Sequence, residues 1–279
     1  MLVLSTDTVR SLNKEFMETK LSLKELQHIE LEVLRSFHVF CEENKLTYYL
    51  TAGTLLGAIR HNGFIPWDDD IDIVMPRPDY ERFLQLFEQK NTVSYLKLAT
   101  PKNTPNYYVP MAKLFDSRFG MEEPNLRFPC PLGPWIDIFP LDNMGNEYEE
   151  AVSFFKKVGV WRVLRCLRML PSQRKGLRRF ARNCVTAVLS ILPSAYFLNK
   201  INQVSRQYED AHFTKYVCVV CMAGYGLKEL FEGVWYQKRE LHAFGPYQFY
   251  IPCGWHKILT RFYGDYMTPR KRDYVHFDL

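Results

Sequence analysis

Four aspartates lie within five positions of the segment WDDDIDIVM, residues 67–75, and the segment ends in an apolar run. Alternate side chains of a β-strand point to opposite faces, so a strand here would place Asp68, Asp70 and Asp72 on one face and Asp69 on the other. Carboxylates along one edge repel each other and destabilise the fold unless a positive charge offsets them. Closely spaced oxygen ligands suit Mg²⁺, with Mn²⁺ as an alternative. The segment therefore predicts a divalent-metal site at the mouth of an apolar strand.

A further aspartate, Asp137, lies between large apolar neighbours in the segment WIDIF. Burying a carboxylate among such neighbours costs free energy unless its charge is paired or ligates a metal. The alternative is an aspartate on the solvated face of an edge strand. An Asp-x-Asp strand, a third aspartate on a later strand and a glycine turn at Gly53 together suit two-metal phosphoryl or nucleotidyl transfer. In that chemistry the carboxylates hold metals that bridge phosphate oxygens, and the glycine turn admits a phosphate close to backbone N–H groups.

The spacing of apolar residues predicts the elements that must position these aspartates. Ser22 and Glu25 have the spacing of a capping box, and the apolar residues after them predict an amphipathic helix over 23–43. Two shorter helices are predicted over 55–60 and 78–90, the second opened by Pro78. Strands are predicted over 48–51, 69–75, 94–99, 107–115 and 134–139, and helices should dominate the remainder. This order indicates an α+β fold with a small mixed sheet.

The chain resembles the LicD family of phosphotransferases, which is related to fukutin-type ribitol-phosphate transferases. Four segments carry the resemblance: AGTLLGAIRHNGFIPWDDDIDIVMPRPDYERF, MAKLFDSR, WIDIFPLD and YGDYMTP. It extends from about Glu25 to Pro269 and implies a nucleotidyltransferase-like core of the polymerase β type, with helical N-terminal and C-terminal additions. We expect a single catalytic domain over 1–279, made of a core at 22–145, a basic helical insertion at 146–215 and a C-terminal part at 216–279.

The resemblance also implies an activity and a set of metal ligands. The activity is transfer of a phospho-alcohol, most often phosphocholine from CDP-choline, to a sugar hydroxyl of a cell-surface glycan, teichoic acid, capsule or lipopolysaccharide precursor, with release of CMP. The implied Mg²⁺ ligands are Asp70, Asp72 and Asp137. Asp137 either completes a second metal site or accepts the proton of the sugar hydroxyl, and the sequence leaves both roles open.

Six further residues are candidates for substrate contacts because they lie in or beside these segments: Gly53, Thr54, Gly57, Arg60, Asp68 and Lys113. Arg60 and Lys113 suit phosphate contacts, although either could be an ordinary surface charge. Asp68 is either an alternative base or a turn residue. If choline is transferred, its quaternary ammonium requires an aromatic face, and Trp67 and Trp135 adjoin the aspartates.

Other activities remain open at this point. CDP-glycerol or CDP-ribitol could replace CDP-choline as the donor, and a nucleotidyltransferase would leave a nucleotide on its acceptor instead. A catalytically idle relative, or a nucleic-acid module that uses the basic insertion, would not be an enzyme at all. The intact set of Asp70, Asp72 and Asp137 argues against an idle relative, because clustered carboxylates are costly to keep.

The basic insertion has an unusual charge pattern. Residues 151–208 contain twelve Lys and Arg and no Asp or Glu. Cations interleaved with apolar residues over 156–182 favour contact with an anionic membrane surface over a solvated or donor-facing patch, and we expect no nucleic-acid partner. The expected partners are thus a CDP-activated alcohol, a glycan or lipid-linked oligosaccharide acceptor, and the inner face of the plasma membrane, with a cytoplasmic location.

Seven cysteines occur in a chain that has no recognisable export signal and no apolar stretch of about 18 residues, so reduced thiols are expected. Cys218, Cys221, Cys253 and His256 have the spacing of two ligand pairs of a zinc site. The alternative is that YVCVVCM forms a buried strand in which cysteine acts as a small apolar residue.

Overall fold

The computed structural model describes residues 21–121, 126–170, 176–210 and 212–268. These residues contain seven α-helices: α1 (Leu23–Glu43), α2 (Ala52–His61), α3 (Arg77–Lys90), α4 (Tyr148–Met169), α5 (Leu177–Leu189), α6 (Ser194–Ser205) and α7 (Trp255–Tyr263). They also contain nine strands: β1 (Tyr49–Leu50), β2 (Asp72–Pro76), β3 (Leu96–Ala99), β4 (Ala112–Asp116), β5 (Trp135–Gly145), β6 (Tyr216–Cys218), β7 (Phe231–Glu232), β8 (Arg239–Phe244) and β9 (Tyr247–Pro252).

A seven-stranded mixed sheet forms the centre of the fold. Its main path has the order β1-β2-β5-β4-β3, and β6 and β7 continue from the second half of β5. Only the β2–β5 pair is parallel among the described strands of this sheet. Parallel strands begin at the same edge of a sheet, so the first residues of β2 and β5 lie side by side.

The sequence predicted the first eight of these elements, from α1 to β5, correctly in type and approximate position. Helix α1 begins after Ser22, whose side chain accepts from the Glu25 backbone N–H while the Glu25 carboxylate accepts from the Ser22 N–H, as the capping box requires. The first strands and α3 also lie within a few residues of their predicted bounds. After residue 139 helices do predominate among the described residues, but the strands β6 to β9, which follow the helices α4 to α6, were not predicted individually.

Helix α1 and the hairpin of β8 and β9 cover one side of the first strands. Val33, Leu34 and Phe37 of α1 are buried in the core together with Ile73 and Val74 of β2. Helix α1 contacts β4 and β5, the strands that carry Lys113 and Asp137.

An ion pair ties α3 to β5 inside the protein. Arg77 donates from Nε to Asp142 Oδ1 at 2.6 Å and from a terminal nitrogen to Asp142 Oδ2 at 2.9 Å, and both side chains are buried. Because a two-bond contact of this kind fixes orientation, it sets the angle at which α3 leaves β2.

The basic insertion forms the helices α4, α5 and α6. Thr186 of α5 donates to the Leu167 carbonyl of α4, and Arg182 donates to the carbonyls of Cys166 and Leu170. Across the described parts of the chain, no single helix has the length and apolar character to cross a membrane, although Arg179–Leu189 and Ser194–Ser205, bent by 82°, meet that test as a pair.

Candidate active site

Only the last part of the aspartate segment forms the predicted strand. Strand β2 begins only at Asp72, because the chain after the turn at Pro66 and Trp67 is irregular from Asp68 to Ile71. Asp68, Asp69 and Asp70 therefore do not alternate between two faces as predicted. Carboxylate oxygens of these three residues all lie within 4.8 Å of one another, with Asp69 buried and the other two half-buried. Asp69 thus belongs to the acidic cluster, and the prediction of an opposite face for it is wrong.

Side chains from α1 and α2 hold this segment in place. Gln27 of α1 donates from its side-chain amide to the Asp68 carbonyl at 2.7 Å. The Thr54 hydroxyl of α2 accepts from the Asp72 backbone N–H at 2.8 Å. A Cβ atom at Gly53 would lie 2.9 Å from Asp68 Oδ2, so the absence of a side chain lets the carboxylate approach the helix. Thr54 consequently positions Asp72 and does not line either of the cavities described below.

Asp72 and Asp137 meet on the parallel strand pair. Asp72 of β2 lies opposite Asp137 of β5, and Lys113 of β4 lies opposite Asp137 on the other side. Lys113 Nζ is 2.7 Å from Asp137 Oδ1, and the lysine side chain is only 3% exposed. The predicted surface-charge alternative for Lys113 is therefore excluded, because its ammonium is buried against a carboxylate.

Burial and the surrounding negative charge both favour the protonated form of Asp72. Burial raises the pKa of the Asp72 carboxyl well above its usual range, and the nearby Asp70, Asp137 and Asp68 raise it further, while Lys113 lowers it. One lysine does not balance four carboxylates. An oxygen-rich set with excess negative charge fits a hard divalent cation such as Mg²⁺ or Mn²⁺.

A buried glutamate that sequence reasoning missed faces the same cluster. Glu30 of α1 is 2% exposed, and its pKa is raised by burial first and then by Asp70, Asp69, Asp137 and Asp68. The sequence did carry a signal, since Leu26, Glu30, Val33 and Phe37 follow one another at helical spacing along the apolar stripe. An acidic residue on such a stripe indicates either a partner or a protonated carboxyl.

Two cavities meet at the aspartates. The polar cleft has a volume of about 730 Å³ and its lining includes Gly53, Asp68 and three cationic side chains, those of Arg60, Lys228 and Arg261. Arg60 is held there because its guanidinium donates to the Tyr266 carbonyl at 2.8 Å. The polar cleft is thus lined by cationic side chains as well as by the aspartates.

The second space, the aromatic cavity, has a volume of about 360 Å³. Its aromatic lining residues are Tyr108, Trp135, Phe139, Tyr225, Phe231 and Phe262. Asp70 and Asp72 line both this cavity and the polar cleft, whereas Asp137 and Lys113 line the aromatic cavity alone. The aspartates therefore stand at the boundary between a charged space and an apolar one.

Residues of all four resembling segments line these two cavities. They include Gly53 and Arg60 from the first segment, Lys113 from the second, Asp137 from the third and Tyr266 from the fourth. Gly57 differs, since it is buried and lines neither cavity. A Cβ atom there would collide with the Gly63 carbonyl, so the glycine lets α2 pack against the following turn.

The two tryptophans considered for a choline site have different surroundings. Lys113 Nζ lies 4.0 Å from the centre of the Trp135 ring, so this ring already contacts a cation. Trp67 is half-buried and lines the polar cleft.

The cysteines and histidine considered for zinc do not assemble. Cys218 and Cys221 are buried, whereas His256 Nδ1 is hydrogen-bonded to the Tyr266 hydroxyl at 2.6 Å. Within residues 21–121, 126–170, 176–210 and 212–268, Asp68, Asp69 and Asp70 form the one group of three or more His, Cys, Asp or Glu side chains whose ligand atoms lie within 4.8 Å of one another. Of the three predicted metal ligands, Asp70 belongs to this group, whereas Asp72 and Asp137 lie outside it on the neighbouring strands β2 and β5.

Comparison with known proteins gives two kinds of match. A family model described as "LicD/FKTN/FKRP, nucleotidyltransferase domain" matches residues 45–129. The lipopolysaccharide cholinephosphotransferase LicD of Haemophilus influenzae is 34% identical over 258 residues, which cover 89% of this chain and 92% of that protein. An uncharacterized protein of Rickettsia typhi is 38% identical over 64 residues, 23% of this chain and 21% of the relative.

Proposed function

The chain belongs to the LicD family of phosphotransferases, and we propose that it transfers phosphocholine from CDP-choline to a sugar hydroxyl of a cell-surface glycan precursor, releasing CMP. The observation that carries this proposal is the position of Asp70 and Asp72 at the boundary between the polar cleft and the aromatic cavity. A CDP-alcohol has two halves that match these two spaces. The charged nucleotide suits the polar cleft, the small alcohol suits the aromatic cavity, and the phosphates join the two. The name of the Haemophilus influenzae relative favours choline and lipopolysaccharide.

The sheet supports a nucleotidyltransferase-like core of the polymerase β type. In this interpretation β2 and β5 present the acidic residues, and α2 begins beside them after the Thr51–Ala52 turn. The description of the matching family model also names a nucleotidyltransferase domain.

Asp70, Asp72 and Asp137 would hold Mg²⁺ or Mn²⁺ in this proposal, with Asp72 and Asp137 side by side on the parallel strands. The carboxylates of Asp68 and Asp69 lie within 4.8 Å of that of Asp70 and would be available to ligate the same ion as Asp70. When bound, the ion supplies positive charge that offsets the phosphates and stabilises the departing CMP. Carboxylates from two strands make a rigid site, because the register between β2 and β5 fixes the Asp72–Asp137 separation.

Other residues that line the two cavities would bind the phosphates, accept the proton and orient the base. Arg60, Lys228 and Arg261 line the polar cleft, where their charge suits the nucleotide phosphates.

The acceptor oxygen attacks the choline-bearing phosphorus, the bond from this phosphorus to the bridging oxygen breaks, and CMP leaves with the electron pair. Asp137 accepts the hydroxyl proton, with Asp68 as the alternative base. Lys113, 2.7 Å from Asp137, keeps that carboxylate oriented.

Two related activities would use the same site. A CDP-glycerol or CDP-ribitol donor would place a polyol in the aromatic cavity, where aromatic and apolar walls offer it few hydrogen-bond partners. A nucleotidyltransferase would instead cleave on the other side of the bridging oxygen and leave CMP on the acceptor. The aromatic lining favours choline over both.

We also propose that the insertion contacts an anionic membrane surface at the inner face of the plasma membrane, where a lipid-linked acceptor would be presented. Large apolar side chains of α5 and the turn after it face solvent, with Phe180 at 67%, Val188 at 66% and Ile191 at 81% exposure. Lys156, Lys157 and Arg179 of the same insertion are also exposed, which suits anionic lipid.

Fewer cations are free for this contact than the sequence suggested. Arg168 is buried, Arg165 donates to the Tyr108 carbonyl, and Arg182 donates to carbonyls at the end of α4. Arg174 and Lys175 lie outside the described residues. The apolar face of α5 therefore carries more of the proposed contact than the basic residues of α4.

Thermal melting with each donor tests the proposed function. CDP-choline with Mg²⁺ should raise the melting temperature more than CDP-glycerol or CDP-ribitol at equal concentration, because a ligand that binds only the folded state stabilises it by mass action. A larger shift with either polyol donor would replace choline with that polyol. No shift with any of the three would contradict the proposal.

A further inference from the structure

Glu229 is a buried acidic residue that the transfer chemistry does not use. It ends a short 3₁₀ turn, Gly226–Glu229, is 6% exposed and lines the aromatic cavity. Its Oε1 accepts from the Tyr225 backbone N–H at 2.7 Å. Among the described residues it takes part in no ion pair. The Arg162 guanidinium acts on Glu229 electrostatically but makes no ion pair with it. A buried carboxyl that no cation contacts directly is costly to keep ionised unless a ligand supplies the charge.

Aromatic rings stand beside this carboxyl. The Tyr225 and Phe262 rings have centres 5.2 Å apart, and both residues line the polar cleft as well as the aromatic cavity. Tyr225 is 42% exposed. No cation of the described part of the chain lies over either ring, in contrast to Trp135 and Tyr108, whose rings Lys113 approaches at 4.0 and 5.6 Å.

The lining of the aromatic cavity therefore has two differently charged parts, the first on β4 and β5 and the second around the Gly226–Glu229 turn. The first part has Lys113 paired with Asp137 and covered by Trp135, so a second cation there would be repelled. The second part has the Glu229 carboxyl and the rings of Tyr225 and Phe262. Aromatic faces combined with a negative charge are the surroundings that bind quaternary ammonium ions.

We propose that the trimethylammonium group of the donor binds at this second part, between the Glu229 carboxylate and the rings of Tyr225 and Phe262. This inference rests on the proposed function and assigns the choline-recognising residues of the site. It replaces the expectation that Trp67 and Trp135 form the cage, because Lys113 already contacts Trp135 and Trp67 lies in the polar cleft. The phosphates would then lie at the aspartates and the cytidine in the polar cleft.

Binding measured with CDP-choline and with CMP tests the assignment, because CMP lacks the choline. In Glu229→Gln the Kd for CDP-choline should rise at least about tenfold in the presence of Mg²⁺, while the Kd for CMP stays the same. Tyr225→Leu should behave similarly and Tyr225→Phe should retain most of the affinity. Glu232→Gln is the matched control, since Glu232 is an exposed carboxylate three positions along the chain.

The pH dependence of binding gives a second readout. Burial raises the pKa of Glu229 to about 7, and a nearby cation favours the ionised form, so CDP-choline should bind more tightly as pH rises through that value. The titratable or charged groups that face Glu229 are Arg162 of α4, the thiols of Cys218 and Cys221, and Tyr236. Burial raises the pKa of both thiols and of the tyrosine, so these groups stay neutral near pH 7. The ratio of the Kd for CMP to the Kd for CDP-choline should therefore rise with pH in the wild type and be independent of pH in Glu229→Gln, because the raised pKa of Asp72 affects the binding of both ligands.

The outcomes distinguish this inference from the proposed function. If wild-type protein binds CDP-choline more tightly than CMP but Glu229→Gln and Tyr225→Leu bind it equally well, the pocket assignment is wrong and choline transfer stands. If wild-type protein prefers a CDP-polyol, choline transfer itself is wrong. If the variants change the KM of the acceptor alone, the cavity holds the acceptor sugar and the assignment is overturned.

Discussion

Asp72 and Asp137 approach each other because β2 and β5 are parallel and in register, and neither residue can move away without breaking the sheet. Their repulsion is a feature of the fold that a bound cation would relieve. Removing one carboxylate should therefore have opposite effects on activity and on stability.

Asp70→Asn and Asp72→Asn test this relation. Each keeps the side-chain shape but removes a ligand charge, so we expect turnover with Mg²⁺ to fall at least about 100-fold, about 2.7 kcal/mol in the barrier. Melting temperature in EDTA should be equal or higher, since repulsion is relieved, and the gain on adding Mg²⁺ should shrink. Glu232→Gln is the control that loses an exposed carboxylate. Near-wild-type turnover in either aspartate variant would contradict these ligand assignments.

The raised pKa values predict how stability responds to pH. Glu30 and Asp72 keep their protons to higher pH in the folded state than in the unfolded state. The stabilisation this provides is fully present below about pH 4 and is lost as pH rises toward the folded-state pKa, by up to about 1.4 kcal/mol per pH unit for each group. Glu30→Gln should lose less stability over this range in EDTA, as measured by urea unfolding at several pH values. An unchanged pH slope would show that Glu30 is ionised in the folded protein.

At the level of individual residues, the sequence indicated the acidic cluster but not its arrangement. The spacing of Asp68 to Asp72 suggested alternation, and only the backbone after Pro66 reveals that Asp69 joins its neighbours. Lys113 was recognised as a candidate, yet its pairing with Asp137 depends on the register of β4 and β5, which no local pattern encodes.

Among the elements, α3 depends on one buried ion pair. Arg77→Met would leave the Asp142 carboxylate buried without its partner, so the free energy of unfolding should fall by about 3–5 kcal/mol. The matched control is Arg82→Met on the same helix, because Arg82 pairs with Asp79 at the exposed surface and should cost about 1 kcal/mol or less. Chemical unfolding of both variants gives the comparison, and equal losses would contradict the role of the buried pair.

Helix α5 provides the test of membrane contact. Replacing Phe180, Val188 and Ile191 together with serine should release the protein from vesicles that contain anionic phosphatidylglycerol, because these side chains supply the exposed apolar area. Leu241→Ser on β8 removes an exposed apolar residue elsewhere and should not affect binding. Transfer to a soluble acceptor analogue should be unchanged in both variants. Vesicle co-sedimentation of the triple variant at the wild-type level would rule out this surface.

Elements with a strong local sequence signal were predicted correctly. Elements whose structure depends on pairing with distant segments were not. The capping box and apolar stripe specified α1 to the residue. The strands β6 to β9 are short and pair with distant segments, so their sequences carry little periodicity by which to identify them.

The whole molecule brings four distant segments of the chain around two adjoining cavities, with the acidic residues between them. The sequence indicated these segments through their resemblance to a family. The division into a polar cleft and an aromatic cavity required the three-dimensional structure, because Glu229, Tyr225 and Phe262 come from a region without a recognised motif. The two cavities together favour a donor with one charged half and one small cationic half.

The most direct test of the proposed phosphocholine transfer is the chemical identity of the modified acceptor. Purified protein, Mg²⁺, CDP-choline and a lipopolysaccharide-type oligosaccharide are combined, and the acceptor is analysed by mass spectrometry. The proposed function predicts that the acceptor gains phosphocholine, that CMP appears in equal amount, and that neither forms in EDTA or with Asp72→Asn. An acceptor that gains CMP while phosphocholine is released, or product formation that persists in Asp72→Asn, would contradict it.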